Sequence, residues 1–321
     1  MIQKDPGFIV GPITKLLGVI FNFVFNFVHD ITVANSLGIS IIIITIIVRL
    51  LIWPLSIKQV KNSIAMQHLQ PKINKLRQKY ANNNKDPQNQ KKFNLELQRL
   101  YAENNISPAS GCIIGLFQLP MFMALNQLLV RSYYYISDIG TIYENLAKKI
   151  MSVPNYISII KPIAIPKVPA KMTIDLSVMS DMQKVINKFT SSDWSNFLSH
   201  VSGNTHNELM TMLVKKQSVE NFFGINLLDP CGLKFPGLMI PILATVTTFL
   251  TTYYMNKMVP KTDDTAKNQQ KIMLILLPLM MGGVSFTLSS GVGVYWITSS
   301  VIQFVQQVLA NKLYVNLREE K

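Results

Sequence analysis

Apolar residues fill long stretches of this chain, and the length of each stretch separates its parts. Five windows reach or approach the ~20 residues that a helix needs to cross the hydrocarbon of a bilayer. They run from Leu37 to Ile57, Cys112 to Val130, Phe235 to Met255, Ile272 to Leu288 and Val292 to Ala310. The β-branched run Ile41 to Ile47 alone would suit a buried strand, but it continues through Leu51 and Ile52, well past strand length, so a helix is expected. Only Ser289, Ser290 and Gly291 separate the last two windows. So short and uncharged a turn predicts an antiparallel pair of spans.

Two further patterns are helical without being span-like. From Ile13 to Val28 the apolar run is short for a span, and Asn22, Asn26 and His29 fall on one helical face opposite Leu17, Val24 and Val28. That division predicts an interfacial helix lying on the outer leaflet. A signal peptide would need better-placed basic residues than Lys4 and Lys15, and a small-residue cleavage site. Between the first two windows, Val60, Ile64, Leu69, Ile73, Leu76 and Tyr80 form one apolar stripe, and Phe93, Leu97, Leu100 and Tyr101 form another. The breaker run Asn82 to Pro87 parts them, which predicts an antiparallel helical hairpin.

Composition supports a membrane class. Hydrophobic residues make up 49% of the 321 positions and charged residues only 15%, with 31 Lys and Arg against 17 Asp and Glu. The distribution of cations sets orientation. Ten of them lie between Lys58 and Glu103 against Asp86, Glu96 and Glu103, four Lys lie in Lys257 to Lys271, and the tail from Lys312 is also basic. All three belong on the cytoplasmic side, which leaves the 289–291 turn, the N-terminus and the long 132–234 segment outside.

The expected architecture is an all-α polytopic membrane protein: a five-span helical bundle with a cytoplasmic antiparallel hairpin and an N-terminal interfacial helix. Residues 1–36 form the external N-terminal segment, 37–57 the first span, 58–106 the hairpin and 107–131 the second span. An external insertion, 132–234, leads to the third span at 235–256. A cytoplasmic loop, 257–271, precedes the fourth and fifth spans within 272–310, and 311–321 is a cytoplasmic tail.

Arg49 is the first candidate for function, because a charge inside a span costs about 2.5–3.5 kcal/mol even on a lenient scale. It either snorkels to the cytoplasmic edge or faces water or a partner. None of the five windows contains Asp or Glu, so the expected setting is a wet cavity open to transient anionic groups. Thr45, Gln118, Thr248, Thr252, Ser299 and Gln303 could line it, although each alone is more often a helix-to-helix hydrogen bond. Two cysteines and four histidines, none closely spaced, exclude a disulfide framework and a metal centre. No nucleophile elbow, HExxH or phosphate loop is present, so neither an enzyme nor a cofactor is expected.

Several segments resemble the YidC/Oxa/Alb family of membrane protein insertases. They are GISIIIITIIVRLLIWPLSIKQ from Gly38, MQHLQPKI from Met66, SPASGCIIGLFQLPMFMA from Ser107 and SSGVGVYWITSSVIQFVQQ from Ser289. FFGINLLDP, Phe222 to Pro230, is a fainter match, and the stretch from Ser132 to Asn221 has none.

The resemblance implies an insertase and chaperone without pore or energy source. A positively charged groove, open to cytoplasm and lipid, would take the polar segment of a nascent membrane protein and release its apolar segment sideways into the bilayer. In that setting Arg49 matches the family's arginine, Thr45 and the pair Tyr295 and Trp296 its substrate-contacting positions, and Gln118 a groove-side glutamine. Lys72, Lys75, Arg77, Lys79, Lys91 and Lys92 become the candidate hairpin contacts with client or ribosome. Nascent membrane proteins, lipids, the Sec translocon and the ribosome are the implied partners, and the cell membrane of a bacterium the implied location. A small-solute transporter or channel with an anion-binding Arg49 is the alternative, but it would call for an internal repeat. A membrane chaperone that assembles helices without translocating anything is a second.

Overall fold

The computed structural model describes residues 7–80, 87–107, 110–168, 173–258 and 264–319. Almost all of them are helical, and they divide into two compact units. The first takes in residues up to 44, 120–239 and 285–295; the second takes in 45–119, 240–284 and 296 onward.

Helix α1, Gly7–Ile31, lies wholly in the first unit. It is longer than its sequence pattern predicts, because Pro12 sits near the N-terminal end, where a missing N–H costs little. With 25 residues it is long and apolar enough to cross a membrane, as is the Ser36–Met66 stretch of α2, Ser36–Tyr80. Length therefore does not decide the role of α1, but its packing bears on it. Leu17, Phe21, Val24, Phe25 and Val28 are buried, while Leu16, Val19, Phe23, Phe27 and Ile31 are exposed. Its Asn face is not turned to solvent alone. Asn22 Oδ1 accepts from the backbone N–H and the hydroxyl of Ser137, at 2.8 and 3.0 Å.

Ser137 opens α6, and the segment around it holds more structure than the sequence reading assigned. After α4, Ser110–Val130, come α5, Ser132–Tyr135; α6, Ser137–Met151; and α7, Tyr156–Ala164. Then follow α8, Met179–Ile186; α9, Ser191–Ser199; and α10, Gly203–Glu220. Ile139, Ile142, Tyr143, Leu146, Ala147 and Ile150 of α6 repeat at helical spacing and form a buried stripe on which α8 and α10 pack. A capping box starts α9: the Thr190 N–H donates to Asp193 Oδ2 at 2.6 Å, and Asp193 N–H returns a bond to Thr190 Oγ1.

At the end of α10 the chain turns through β1, Asn221–Phe222, and β2, Ile225–Asn226, an antiparallel pair. Phe223 and Gly224, both at positive φ, make its two-residue turn. The Phe222 ring lies against Gly38 of α2 so closely that any β-carbon there would collide with it. Beyond β2, the Leu227 and Asp229 carbonyls accept from the N–H groups of Gly291 and Ser290, pinning the chain to the short turn before α13, Ser290–Glu319.

An ionic network is buried within this unit. Lys216 Nζ lies 2.6 Å from Glu220 Oε2, and both residues are almost wholly buried. The Tyr143 hydroxyl donates to Glu220 Oε1 at 2.9 Å, and Asn226 Nδ2 donates to Oε2 at 3.2 Å. Burial first, and the Glu220 carboxylate second, hold the Tyr143 phenol protonated well above its ordinary value of 10. Its share of stability is therefore complete below pH 10 and is lost as pH climbs from there towards the raised value. Replacing Glu220 with Ala strands the Lys216 ammonium and is expected to destabilise the fold by about 3–5 kcal/mol. The apolar double variant Lys216→Met, Glu220→Leu should cost much less, since neither charge is then buried alone. Thermal melting of the two variants compares them, and a single variant no less stable than the double would refute the account.

The second unit is built from α2 beyond residue 44, α3 (Pro87–Glu103), the start of α4, α11 (Met239–Met258), α12 (Asp264–Ser285) and α13 beyond Tyr295. Each of the five apolar windows overlaps one of α2, α4, α11, α12 and α13. Helices α11 and α12 approach closely at Gly282, where a β-carbon would overlap Thr245 Oγ1. Tyr80 of α2 meets Phe93 and Glu96 of α3, while Leu69 and Ile73 cluster with Leu97, Leu100, Tyr101 and Ile106. The breaker residues 81–86 lie outside the described residues. A separate cluster of Ile57, Val60 and Ile64 packs against Ala310 of α13.

Candidate functional site

Arg49 sits in the middle of the apolar run of α2 with 5% of its surface exposed. Its guanidinium is engaged by polar side chains of neighbouring helices. Its Nε donates to Ser299 Oγ at 2.7 Å, and Nη2 donates to the same hydroxyl, to Gln303 Oε1 at 3.1 Å and to Gln118 Oε1 at 3.3 Å. Gln306 Nε2 donates to the Arg49 carbonyl at 2.9 Å. These side chains come from three helices, α2, α4 and α13, all within the second unit. These acceptors are neutral oxygens, which orient the guanidinium without bringing a countercharge, whereas a carboxylate adds Coulombic attraction and a bidentate fit to the fork. A carboxylate arriving at Arg49 would therefore compete well against them.

Gln303 is a direct partner of Arg49, and Gln306 is a member of this site that the sequence reading did not name. Ser299, Gln303 and Gln306 recur at spacings of four and three, one face of α13. That polar stripe on an apolar helix was a signal available in the sequence. The side-chain oxygens of Gln306 and Gln307 are buried without a hydrogen bond among the described residues.

The other expected residues distribute unevenly. Trp296 Nε1 donates to Thr248 Oγ1 at 2.8 Å, which couples α13 to α11. Thr251 reaches the Ser300 carbonyl at 3.1 Å and strengthens the same seam. Thr252 bonds back to the Thr248 carbonyl in its own helix, the ordinary behaviour of a threonine in an apolar helix. Thr45 is fully buried one turn before Arg49. Tyr295 is buried too, but belongs to the first unit.

On the hairpin, Lys72, Lys75 and Lys79 of α2 and Arg99 of α3 line an open cavity of about 370 Å³ together with Glu96 and Glu103. Arg99 was absent from the expected set, while Arg77, Lys91 and Lys92 do not line this cavity. Lys79 is engaged: its ammonium lies 3.0 Å from Glu96 Oε1, which also accepts from the Tyr80 hydroxyl at 2.7 Å. The Tyr80 hydrogen bond first, and Lys79 second, hold the Glu96 carboxyl below the usual range.

These features sit where comparison with known proteins can be placed on them. A family model described as "60Kd inner membrane protein" matches residues 27–318. The chain belongs to the YidC/Oxa/Alb family. Curated relatives agree. A protein of Enterococcus faecalis named "Membrane protein insertase YidC" is 28% identical over 291 residues, which cover 91% of this chain and 72% of that one. "Membrane protein insertase YidC 1" of Lactococcus lactis is 27% identical over 286 residues, 88% of this chain and 72% of the relative. "Inner membrane protein ALBINO3, chloroplastic" of Arabidopsis thaliana is 24% identical over 312 residues, 97% of this chain. The chain spans only 54% of the length of that plant relative. The YidC/Oxa/Alb match contains Arg49, Gln118, Ser299, Gln303 and Gln306, and also the 132–221 segment for which no local motif was found. A helical membrane protein is what the family and the apolar helices jointly describe.

Proposed function

We propose that this chain is a membrane protein insertase that receives nascent membrane proteins at a positively charged groove and releases them laterally into the bilayer. The carrying observation is Arg49, buried in an apolar helix and held by neutral oxygens of Ser299, Gln118 and Gln303. A polar, often acidic client segment faces about 30 Å of hydrocarbon. A countercharge partway across lowers that cost, and the weakly competing acceptors let a client carboxylate exchange in and out. The client's own apolar span then leaves into lipid, driven by burial of its surface. This reading needs no ATP site and no catalytic group.

The same reading takes α2, α4, α11, α12 and α13 as five spans, with the N-terminus outside and the α2–α3 hairpin and C-terminus in the cytoplasm, where the cations cluster. Helix α1 then lies at the outer surface. Its attachment throughout to the first unit, and its bonds to Ser137 midway along its length, favour that placement over a sixth span. The hairpin cations are the surface offered to clients and ribosome, and the Sec translocon is a candidate partner.

The test is reconstitution of the purified full chain into liposomes with a translated single-span client bearing a short acidic external tail. Protease protection of that tail should rise severalfold over empty liposomes. Protection no greater than in empty liposomes would refute the function.

A further inference from the structure

Three apolar side chains of the first unit, none of them part of the groove, stand exposed on two adjoining segments. Phe223 is in the turn between β1 and β2, and Leu233 and Phe235 are in the loop before α11. They are 79%, 79% and 72% exposed. The two segments meet, since a β-carbon on Gly224 would lie 3.5 Å from the Pro236 ring. The turn is also tied to the start of α2. The Phe223 N–H donates to Asn35 Oδ1 at 3.3 Å, and the Asn35 N–H donates to the Ser218 carbonyl at 3.0 Å. The Phe222 ring rests on Gly38, and the Phe223 ring meets it edge-on with centroids 4.6 Å apart. Asn35 and Gly38 flank Leu37, where the apolar run of α2 begins, and α11 starts at Met239, four residues beyond Phe235. The exposed side chains therefore stand at the level where two apolar helices begin.

A second observation is that Phe223 is costly where it stands. Both positions of a two-residue turn at positive φ favour Asn or Gly, and an aromatic residue at a φ of 49° is strained. Asparagine would avoid the strain and the exposed ring together. A strained turn that holds an apolar ring outward points to something outside the chain that covers it. The charge beside it says what. Lys234, between Leu233 and Phe235, is exposed and makes no ion pair among the described residues. A cation flanked by apolar side chains suits a segment seated between acyl chains and lipid phosphates. We infer that Phe223, Leu233 and Phe235 form a foot that enters the outer leaflet of the bilayer, with Lys234 at its phosphates. Residues 227–231, which lie between the two parts of the foot, pin the turn before α13. The foot thus holds that turn at the membrane surface. The inference goes beyond insertion and rests on the reading of α2 and α11 as spans that begin outside.

The experiment uses the full chain, one copy per nanodisc of equimolar phosphatidylcholine and phosphatidylglycerol, with Cys112→Ser and Cys231→Ser as background. A nitroxide is placed in turn at Phe223→Cys, Leu233→Cys and Phe235→Cys, and at Asn204→Cys, at the far end of α10, as the aqueous reference. Collisions of each label with molecular oxygen, which concentrates in lipid, and with a water-soluble nickel chelate are then measured. The oxygen-to-nickel ratio should be about tenfold higher at the three foot positions than at 204. A ratio at any of the three equal to that at 204 would overturn the inference. So would infrequent collisions with both reagents, which would mean that protein, not lipid, covers the foot. Lys234→Glu should lower the ratio at 235 several-fold, because a carboxylate is repelled by lipid phosphate, and an unchanged ratio would overturn the place given to Lys234. Arg49→Ala should lose insertion while keeping all three ratios, so failure of the groove reading and failure of this one are separable.

Discussion

Replacing Arg49 with Ala is expected to abolish most insertion, by about tenfold to a hundredfold, while the protein stays folded and in the membrane. The magnitude is that of one charge-assisted hydrogen bond, about 1.5–3 kcal/mol, withdrawn from a client carboxylate. Ser299, Gln118 and Gln303 would keep a polar lining but offer no charge. Arg49→Lys separates two roles. Lysine is still a cation, so insertion should fall between wild type and Ala and nearer wild type. It cannot reproduce the planar fork that reaches Ser299 through both Nε and Nη2, so its melting temperature should drop about as far as that of Ala. Insertion rates in liposomes and thermal melts of the two variants decide the matter. A Lys variant as inactive as Ala would make Arg49 a brace between α2 and α13, and an active Ala variant would remove the groove's central residue.

The second large effect is expected from the hairpin. Deleting residues 67–97 and joining the ends with a short flexible linker should leave a stable chain with insertion near the level of empty liposomes. Stability should survive because the cluster of Ile57, Val60, Ile64 and Ala310 stays in place. Activity should not, because the cavity lined by Lys72, Lys75, Lys79 and Arg99 goes with the deletion. A milder form tests the charge itself: Lys72→Gln with Lys75→Gln, leaving the Lys79–Glu96 pair intact, should weaken capture of an acidic client several-fold at low salt and less at high salt, since exposed charges are screened. Full insertion after the deletion would remove the hairpin from the mechanism.

How much of this was legible beforehand depends on the range of the interaction involved. Hydrocarbon length is a one-dimensional requirement, so windows of apolar residues marked α2, α4, α11, α12 and α13 from composition alone. Arg49 was conspicuous because one charge among aliphatic residues is expensive wherever the chain goes. The stripes at Leu69, Ile73, Leu97 and Leu100 announced two paired helices by their period. Short amphipathic helices with mixed charges, such as α8 and α9, gave a signal too weak to separate from loop, and α1 ran longer than its apolar window because Pro12 is tolerated near a helix start.

What the tertiary structure decided were partners. Arg49 meets Ser299 and Gln303 across some 250 residues, a distance at which spacing carries no information. Lys216 and Glu220 are an ordinary i,i+4 pair on paper. Only packing beneath Tyr143 takes them out of water and turns a surface bridge worth little into one whose breakage is costly. Asp138 and Lys215 likewise face one cavity only because α6 packs on α10. Local pattern determined which segments are helical and apolar, since those free energies are set by neighbours in the chain. Long-range packing determined which charges are buried and which are paired.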